Sequence, residues 1–273
     1  LRLRMAALLI RRTSSGIWTS FVQSRSSNLP SSDSEKPFQL PAVGPIDGQP
    51  NFVPNETYDT LHFSGCGFML PFHLGVVAAL RQHQIRFRCV TAISGGVMAA
   101  LAHLGGGHLE LAVQQSLDLR QERATIPGSI RAFFRCYRAY FRCFRSEQLR
   151  AALPIHTLCG KLFVRMCRWS NGSLQPIAIS DFESESELES AFMSAAYIPA
   201  ATSILPPMFR EEVFFDAGLL GDHALESWAD PTVWPPPPPG VQQCKRMCVL
   251  TSEPSQDQLN AAAAENVAVV FGI

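Results

Sequence analysis

Charge is scarce in this chain. Only 17% of its 273 residues are Asp, Glu, Lys or Arg, against roughly 25% in an average soluble domain. Lysine is scarcer still, with Lys36, Lys161 and Lys245 the only three. The 23 bases and 23 acids cancel, so the global basic excess of a nucleic-acid binder is absent and no nucleic-acid partner is expected. None of the eight cysteines forms a CxxC pair or a Cys/His spacing suited to structural zinc, so buried reduced thiols are expected and no metal or other cofactor is implied. No Gly-Lys-Ser/Thr occurs, which excludes a P-loop. An unbroken apolar run of roughly 20 residues, the length of a membrane span, is also missing. Cys89–Leu104 is free of Lys, Arg, Asp and Glu but is interrupted by Gly95 and Gly96. Ala191–Phe209 is broken by Pro199, Pro206 and Pro207. Both stretches read as buried core.

What is present is a core's worth of apolar residues, 47% of the chain, which excludes global disorder. The length suggests one large domain with tails. Charge is segregated along it. Residues 1–32 carry five Arg and no acid, residues 127–168 carry nine bases and one acid, and residues 181–230 carry eleven acids and one base. Residues 1–55 read as a tail rich in Ser, Pro and Gly, either disordered or a targeting leader. Within it, Met5–Ser32 is Arg- and Ser-rich and has the character of a mitochondrial transit peptide. The domain is expected over 56–273, with a Pro-rich exposed loop at 231–240 and an apolar C-terminus that suggests a fragment or a docked end.

Leu61–Phe63 reads as a strand running into the turn Gly65-Cys66-Gly67, followed by a helix to Gln82 with Pro71 in its first turn. Phe87–Ile93 is a second strand, ending at Ser94-Gly95-Gly96, and Val97–Leu104 is a buried helix. Leu109–Arg123 is a further, more amphipathic helix. Short strands are expected at Pro176–Ser180, Val213–Phe215 and Met247–Thr251. Strand, turn and helix alternating in this way predict an α/β fold with a mainly parallel central sheet flanked by helices.

The sharpest local feature is Ala92-Ile93-Ser94-Gly95-Gly96, where strand passes into helix. A nucleophilic serine on such a tight turn needs small neighbours, here Ala92, Gly95 and Gly96. The following helix points its free N–H groups at Ser94, which favours developing negative charge. Read alone, this is also an ordinary small-residue turn. The Gly65–Gly67 turn could offer backbone donors to an oxyanion, or could be a nucleotide turn. Against the nucleotide, a third Gly is lacking and no ribose-binding acid follows about 20 residues on. Asp216-Ala217-Gly218 closes the short strand Val213–Phe215, with a carboxylate that is either a base or a polar turn residue.

Taken in order, Gly65-Cys66-Gly67-Phe68, Ala92-Ile93-Ser94-Gly95-Gly96 and Asp216-Ala217-Gly218 resemble the patatin-like phospholipase family, and within it the animal group that includes adipose triglyceride lipase. LHFSGCGFMLPFHLGVVAAL, Cys159–Asn171 and AYIPAATSILPP extend the likeness over about residues 58–255. The resemblance implies an acyl-ester hydrolase for phospholipid or triacylglycerol. In it Ser94 is the nucleophile, Asp216 the base of a Ser-Asp dyad, and the N–H groups of Gly65, Cys66, Gly67 and Gly95 hold the oxyanion. No metal is implied. The sequence departs from the family pattern in four places: Ala92, Leu70 and Ala217 each stand where Gly is usual, and Gly221-Asp222-His223 replaces an Asn-Pro-like continuation. A non-catalytic lipid-binding module and an acyl transferase are the alternatives. A Ser-His-Asp triad would call on His223, seven residues after Asp216; His73 reads as a core residue.

Ile130–Phe144 carries two parallel stripes. Arg131, Arg135, Arg138, Arg142 and Arg145 recur at spacings of 4, 3, 4 and 3, and Ile130, Phe133, Phe134, Tyr137, Phe141 and Phe144 follow the same period. Two readings stand: an interfacial helix on a membrane or lipid-droplet surface, or a helix with a core-facing aromatic stripe and a solvated basic face. The acids Asp181, Glu183, Glu185, Glu187 and Glu189 read as a solvated loop entering a helix start.

Overall fold

The computed structural model describes residues 56–107, 109–113, 137–199, 201–220, 231–236 and 244–271. The leader over 5–32, His223 and most of the helix expected at Leu109–Arg123 lie outside them, as do the Pro-rich residues 237–240 and the N-terminal half of the arginine-aromatic segment. Strands β1 (Thr57–Phe63), β2 (Arg86–Ile93), β3 (Leu162–Ser170), β4 (Ser173–Ile179), β5 (Met208–Phe209), β6 (Glu212–Asp216), β7 (Arg246–Leu250) and β8 (Val267–Phe271) form the sheet. Its order is β5-β6-β3-β2-β1-β7-β8, with β4 also paired to β3. The run β3-β2-β1-β7-β8 is parallel throughout, and β4, β5 and β6 add antiparallel pairings at one end. The fold is therefore α/β with a mostly parallel central sheet flanked by helices.

The helices α1 (Leu70–Gln82), α2 (Gly96–Gly105), α3 (Glu147–Ala152), α4 (Glu185–Ala195) and α5 (Gln256–Ala264) follow their local chemistry. Helix α1 has Pro71 in its first turn and buries Leu70, His73, Leu74, Val77 and Leu80 along one stripe. Helix α2 is apolar all round and buries every residue from Gly96 to Ala102, as a helix without a polar face must. The last five residues of β2 are buried without alternation, which is the pattern of a parallel strand covered on both faces. Strand β4 tolerates Pro176 because it is an edge, paired only with β3. Among the described residues no helix is long and apolar enough to cross a membrane.

A helix over residues 137–144 places Tyr137, Tyr140, Phe141 and Phe144 in the main core. Tyr137 and Phe141 pack on Phe192 of α4, with ring centroids 4.6 and 5.6 Å apart. In this half of the segment the aromatic stripe is occupied by protein, while Arg138 and Arg142 face solvent. Arg138 pairs with Glu189 at 3.5 Å and buried Arg145 pairs with Glu185. The order of these two pairs makes the segment antiparallel to α4. The alternating acids are thus not all loop: Ser184 caps α4 by accepting from the Glu187 N–H at 3.1 Å, and the helix carries the last three of them. In the proline segment Pro235 is buried and Pro236 exposed, behind Val233 and Trp234, which pack with Cys248, Leu250 and Val267.

Candidate functional site

The sheet register brings three loops together. One edge of β3 is taken by β4 along its length, so β2 and β6 share the other edge in succession. Strand β2 runs parallel to β3 and ends with Ile93 opposite Arg165, while β6 runs antiparallel and ends with Asp216 opposite Met166. Two strand ends therefore point at each other across one residue step of β3. Ser94, the next residue after β2, lies beside Asp216 there, close enough for its hydroxyl to favour the charged form of the carboxylate.

Ser94 has φ of 50°, a left-handed conformation that costs a non-glycine residue of order 1–3 kcal/mol and recurs where a side chain must be aimed. The helix behind it closes at once: the Val97 N–H donates to the Ser94 carbonyl at 3.1 Å, and the Met98 N–H to Gly95 at 3.2 Å. Gly95 and Gly96 are required by close approach. A Cβ on Gly96 would lie 2.4 Å from the Ser64 carbonyl oxygen, and one on Gly95 would lie 2.6 Å from Cys66 Sγ and 3.2 Å from the Gly67 nitrogen. Helix α2 thus starts directly against the Gly65–Gly67 turn, with Cys66 Sγ packed on Gly95. A Cβ on Gly65 would stand 3.7 Å from that of Ser94. The turn itself uses a φ of 46° at Gly67 and then tightens into a 3-10 turn over Gly67–Met69. Among the described residues, the N–H groups of Cys66 and Gly67 have no backbone carbonyl partner. The Thr251 hydroxyl, at the end of β7, donates to the Gly65 carbonyl at 3.1 Å. Because the peptide is planar and trans, this holds the Cys66 N–H pointing the opposite way from that bond.

Asp216 is 1% exposed. Burial raises its pKa from 3.8 to about 6, opposed by the Ser94 hydroxyl and by the Gly218 N–H, which donates to Oδ1 at 2.8 Å. A carboxylate ionised at neutral pH but basic enough to accept a proton is suited to general-base work. Ala217, buried, starts the 3-10 turn that carries Gly218. Ala92 is buried on β2 and its backbone is extended strand, so alanine serves where glycine is usual. The serine and glycine turns are thus in contact and Asp216 adjoins Ser94, while Gly221-Asp222-His223 lie outside the described residues. His73 is buried in the core, 5.3 Å from the Phe63 ring.

Two further side chains that the motifs did not mark, Cys167 and Tyr137, belong to this neighbourhood beside Cys66 of the glycine turn. Burial and the Asp216 charge together raise the thiols of Cys66 and Cys167, the latter to about 12, and raise buried Tyr137 well above 10. Those cysteines are held as thiols. Tyr137 was visible only as one member of an aromatic stripe, and nothing in its spacing linked it to Asp216.

No protein-family model matches the chain. Among curated proteins it is similar to 1-acylglycerol-3-phosphate O-acyltransferase Pnpla3 of Mus musculus, 29% identical over 171 residues, 59% of this chain and 39% of that protein. It is 28% identical over 174 residues to patatin-like phospholipase domain-containing protein 2 of Rattus norvegicus, covering 61% of this chain and 35% of the relative. It is 25% identical over 180 residues to omega-hydroxyceramide transacylase of Homo sapiens, covering 64% and 33%. The chain spans less than two fifths of the length of these relatives, and patatin-like phospholipase domain-containing proteins are among the curated proteins to which it is similar.

Proposed function

We propose that the chain is a patatin-like serine lipid acyl hydrolase acting on fatty-acyl esters of glycerolipids. The observation that carries the reading is the meeting of Ser94, strained at φ 50°, with a buried carboxylate poised near pH 6. Asp216 takes the Ser94 hydroxyl proton as Oγ attacks the ester carbonyl carbon. The carbonyl oxygen becomes an oxyanion, held by N–H groups of the Gly65–Gly67 turn and Gly95. Each such donor is worth roughly 2.7–4 kcal/mol in the transition state. The intermediate collapses, the glyceryl oxygen leaves with the proton from Asp216, and the acyl group remains on Ser94. Water, losing a proton to Asp216, then releases the fatty acid and Ser94 recovers its proton.

A second reading replaces that water by a lipid alcohol, and the names of the relatives favour weighing it: one is an acyltransferase and another a transacylase. The chemistry on Ser94 is shared, so one experiment separates all three readings. Purified protein is treated with a fluorophosphonate probe, and its lipid products are weighed with and without an acceptor alcohol. Labelling that disappears in Ser94→Ala is expected, with free fatty acid the main product. Labelling that persists in that variant overturns the assignment, acylated acceptor as the main product favours transfer, and no labelling at all favours a binding module.

A further inference from the structure

Five large apolar side chains are exposed among the described residues: Met69, Leu111, Ile204, Leu205 and Met208. Met69 lies at the carboxyl end of the parallel strands, where Ser94 lies, and Leu205 and Met208 share a groove against α4. Met69 directly follows the glycine turn at the end of β1. Met208 stands opposite Val213, on the pair β5-β6 that rides on β3 beyond the level of Ile93. Ile204 and Leu205, at 72% and 74% exposure, occupy the tip of the loop between α4 and β5. That loop departs beside the dyad, since the Tyr197 carbonyl accepts from the Asp216 N–H at 2.9 Å. Its base is stiff. The Ile198 N–H donates to Thr202 Oγ1 at 2.8 Å, Ser203 Oγ donates to the Leu205 carbonyl at 2.5 Å, and Pro206 and Pro207 follow.

We infer that the Ile204-Leu205 tip inserts into a phospholipid surface and seats the Ser94 end of the sheet on it. Size and charge choose this occupant. A stable protein partner needs roughly 800 Å² on each side, whereas the tip is two side chains beside a groove of about 430 Å³, which Leu205, Met193 and Met208 line together with Ser186, Glu189 and Ser190. An apolar point beside mixed polar and apolar surface matches the boundary between acyl chains and headgroups. Two nearby arginines are matched by carboxylates: Arg138 by Glu189 at 3.5 Å, and Arg210 by Asp181 at 3.1 Å and Glu187 at 2.5 Å. This surface therefore does not depend on anionic lipid, unlike a basic helix. The described half of the arginine-aromatic segment has its aromatic face in the core and cannot do this work.

The inference gives the proposed hydrolase its route to substrate, and binding tests it independently of chemistry. The Ser94→Ala chain and the same chain with Ile204→Ser and Leu205→Ser are floated with phosphatidylcholine vesicles. The partition coefficient is expected to fall at least about tenfold in the loop variant, and that of the parent to survive ~1 M salt, where screening removes electrostatic attachment. In a separate Leu205→Trp chain, brominated lipid should quench indole emission beyond the quenching of the native chain. Unchanged partitioning in the loop variant overturns the inference. So do binding that vanishes in high salt, no added quenching, and a sedimentation mass showing that the tip drives self-association. Turnover of a water-soluble short ester by the loop variant with Ser94 intact is expected to be unchanged. A native chain that cleaves no ester yet loses vesicle binding with the tip refutes the hydrolase and leaves the docking surface standing.

Discussion

Ile93 and Asp216 sit opposite consecutive residues of β3, Arg165 and Met166, at the tips of strands that approach from opposite directions. The Ser94–Asp216 contact is thus set by strand register. Each of the three strands carries core residues such as Ala92, Val164 and Phe214, so the spacing of the pair is tied to packing of the whole sheet. A pair held this way needs no loop closure to bring the proposed base to the proposed nucleophile.

Asp216 makes stability fall as pH rises. Below about pH 4 the carboxyl is protonated whether the chain is folded or not. Between about 4 and 6 the unfolded chain releases this proton and the folded chain retains it, so the native state loses ground until the folded pKa of about 6 is passed. The rise from 3.8 to about 6 corresponds to about 3 kcal/mol above that point. Asp216→Asn should therefore melt higher than the native chain at pH 7.5 and nearly level with it at pH 4, while ester hydrolysis falls at least about a hundredfold. In the native chain, hydrolysis should decline about tenfold per pH unit below 6, as the base is lost. A melting gap that is the same at both pH values, or a flat rate profile from pH 5 to 8, refutes this account of the carboxyl.

Backbone strain at Ser94 separates two inactive variants. Ser94→Ala retains the φ of 50° with a Cβ in place, whereas Ser94→Gly removes the steric conflict. The glycine variant is expected to be the more stable by about 0.5–1 kcal/mol, even though glycine elsewhere in a structured element lowers stability. Urea midpoints of the two proteins measure it directly, and a less stable glycine variant would show that the turn is not strained.

Strands β1, β2, β4, β6 and β7 and the three turns were legible in the sequence because each has a local signature. A short apolar strand runs into Gly65-Cys66-Gly67, another into Ser94-Gly95-Gly96, and a third into Asp216-Ala217-Gly218. Strand β3, the one that aligns the serine with the acid, was not legible. Arg165 and Arg168 interrupt its alternation, and a buried Arg165 is not a residue that apolar patterning can place. The short first strand, expected from Leu61, begins at Thr57 because polar Thr57 and Asp59 lie at its outer end, where the Lys245 N–H donates to Asp59 at 2.9 Å. Strand β8 and helix α5 also escaped. The helix is a capped run of alanines with little apolar periodicity.

Gly96 and Gly75 should respond oppositely to alanine. At Gly96 the new methyl would lie 2.4 Å from the Ser64 carbonyl oxygen and 2.8 Å from that of Phe63, both main-chain atoms of the neighbouring strand end. Helix α2 must retreat, at about 1–3 kcal/mol, carrying Ser94 away from the glycine turn and slowing fluorophosphonate labelling. At Gly75, inside α1, a methyl meets nothing within 4 Å, so the substitution should stabilise by about 0.5–1 kcal/mol and leave labelling unchanged. Equal effects at the two sites would mean that contact with β1 does not fix α2.

Arg145 closes the basic stripe and, alone among its described arginines, is buried, at 3% exposure. Its Nε donates to Glu185 Oε2 at 3.0 Å, Nη2 to Oε1 of the same residue, and Nη1 to the Leu153 carbonyl at 2.9 Å. The guanidinium thus ties the end of the 137–144 helix to the first turn of α4 and to the chain after α3. Removing the carboxylate in Glu185→Ala leaves a cation in a dry site with one backbone acceptor. The expected loss is about 3 kcal/mol, at the lower end for a broken buried pair because Glu185 is 26% exposed and water can reach part of the gap. Replacing both partners, Arg145→Met with Glu185→Leu, removes the stranded charge and should restore most of that stability. Chemical denaturation of the single and double variants decides it. A double variant no more stable than Glu185→Ala would mean that the pair, and not relief from an unpaired cation, holds the two helices together.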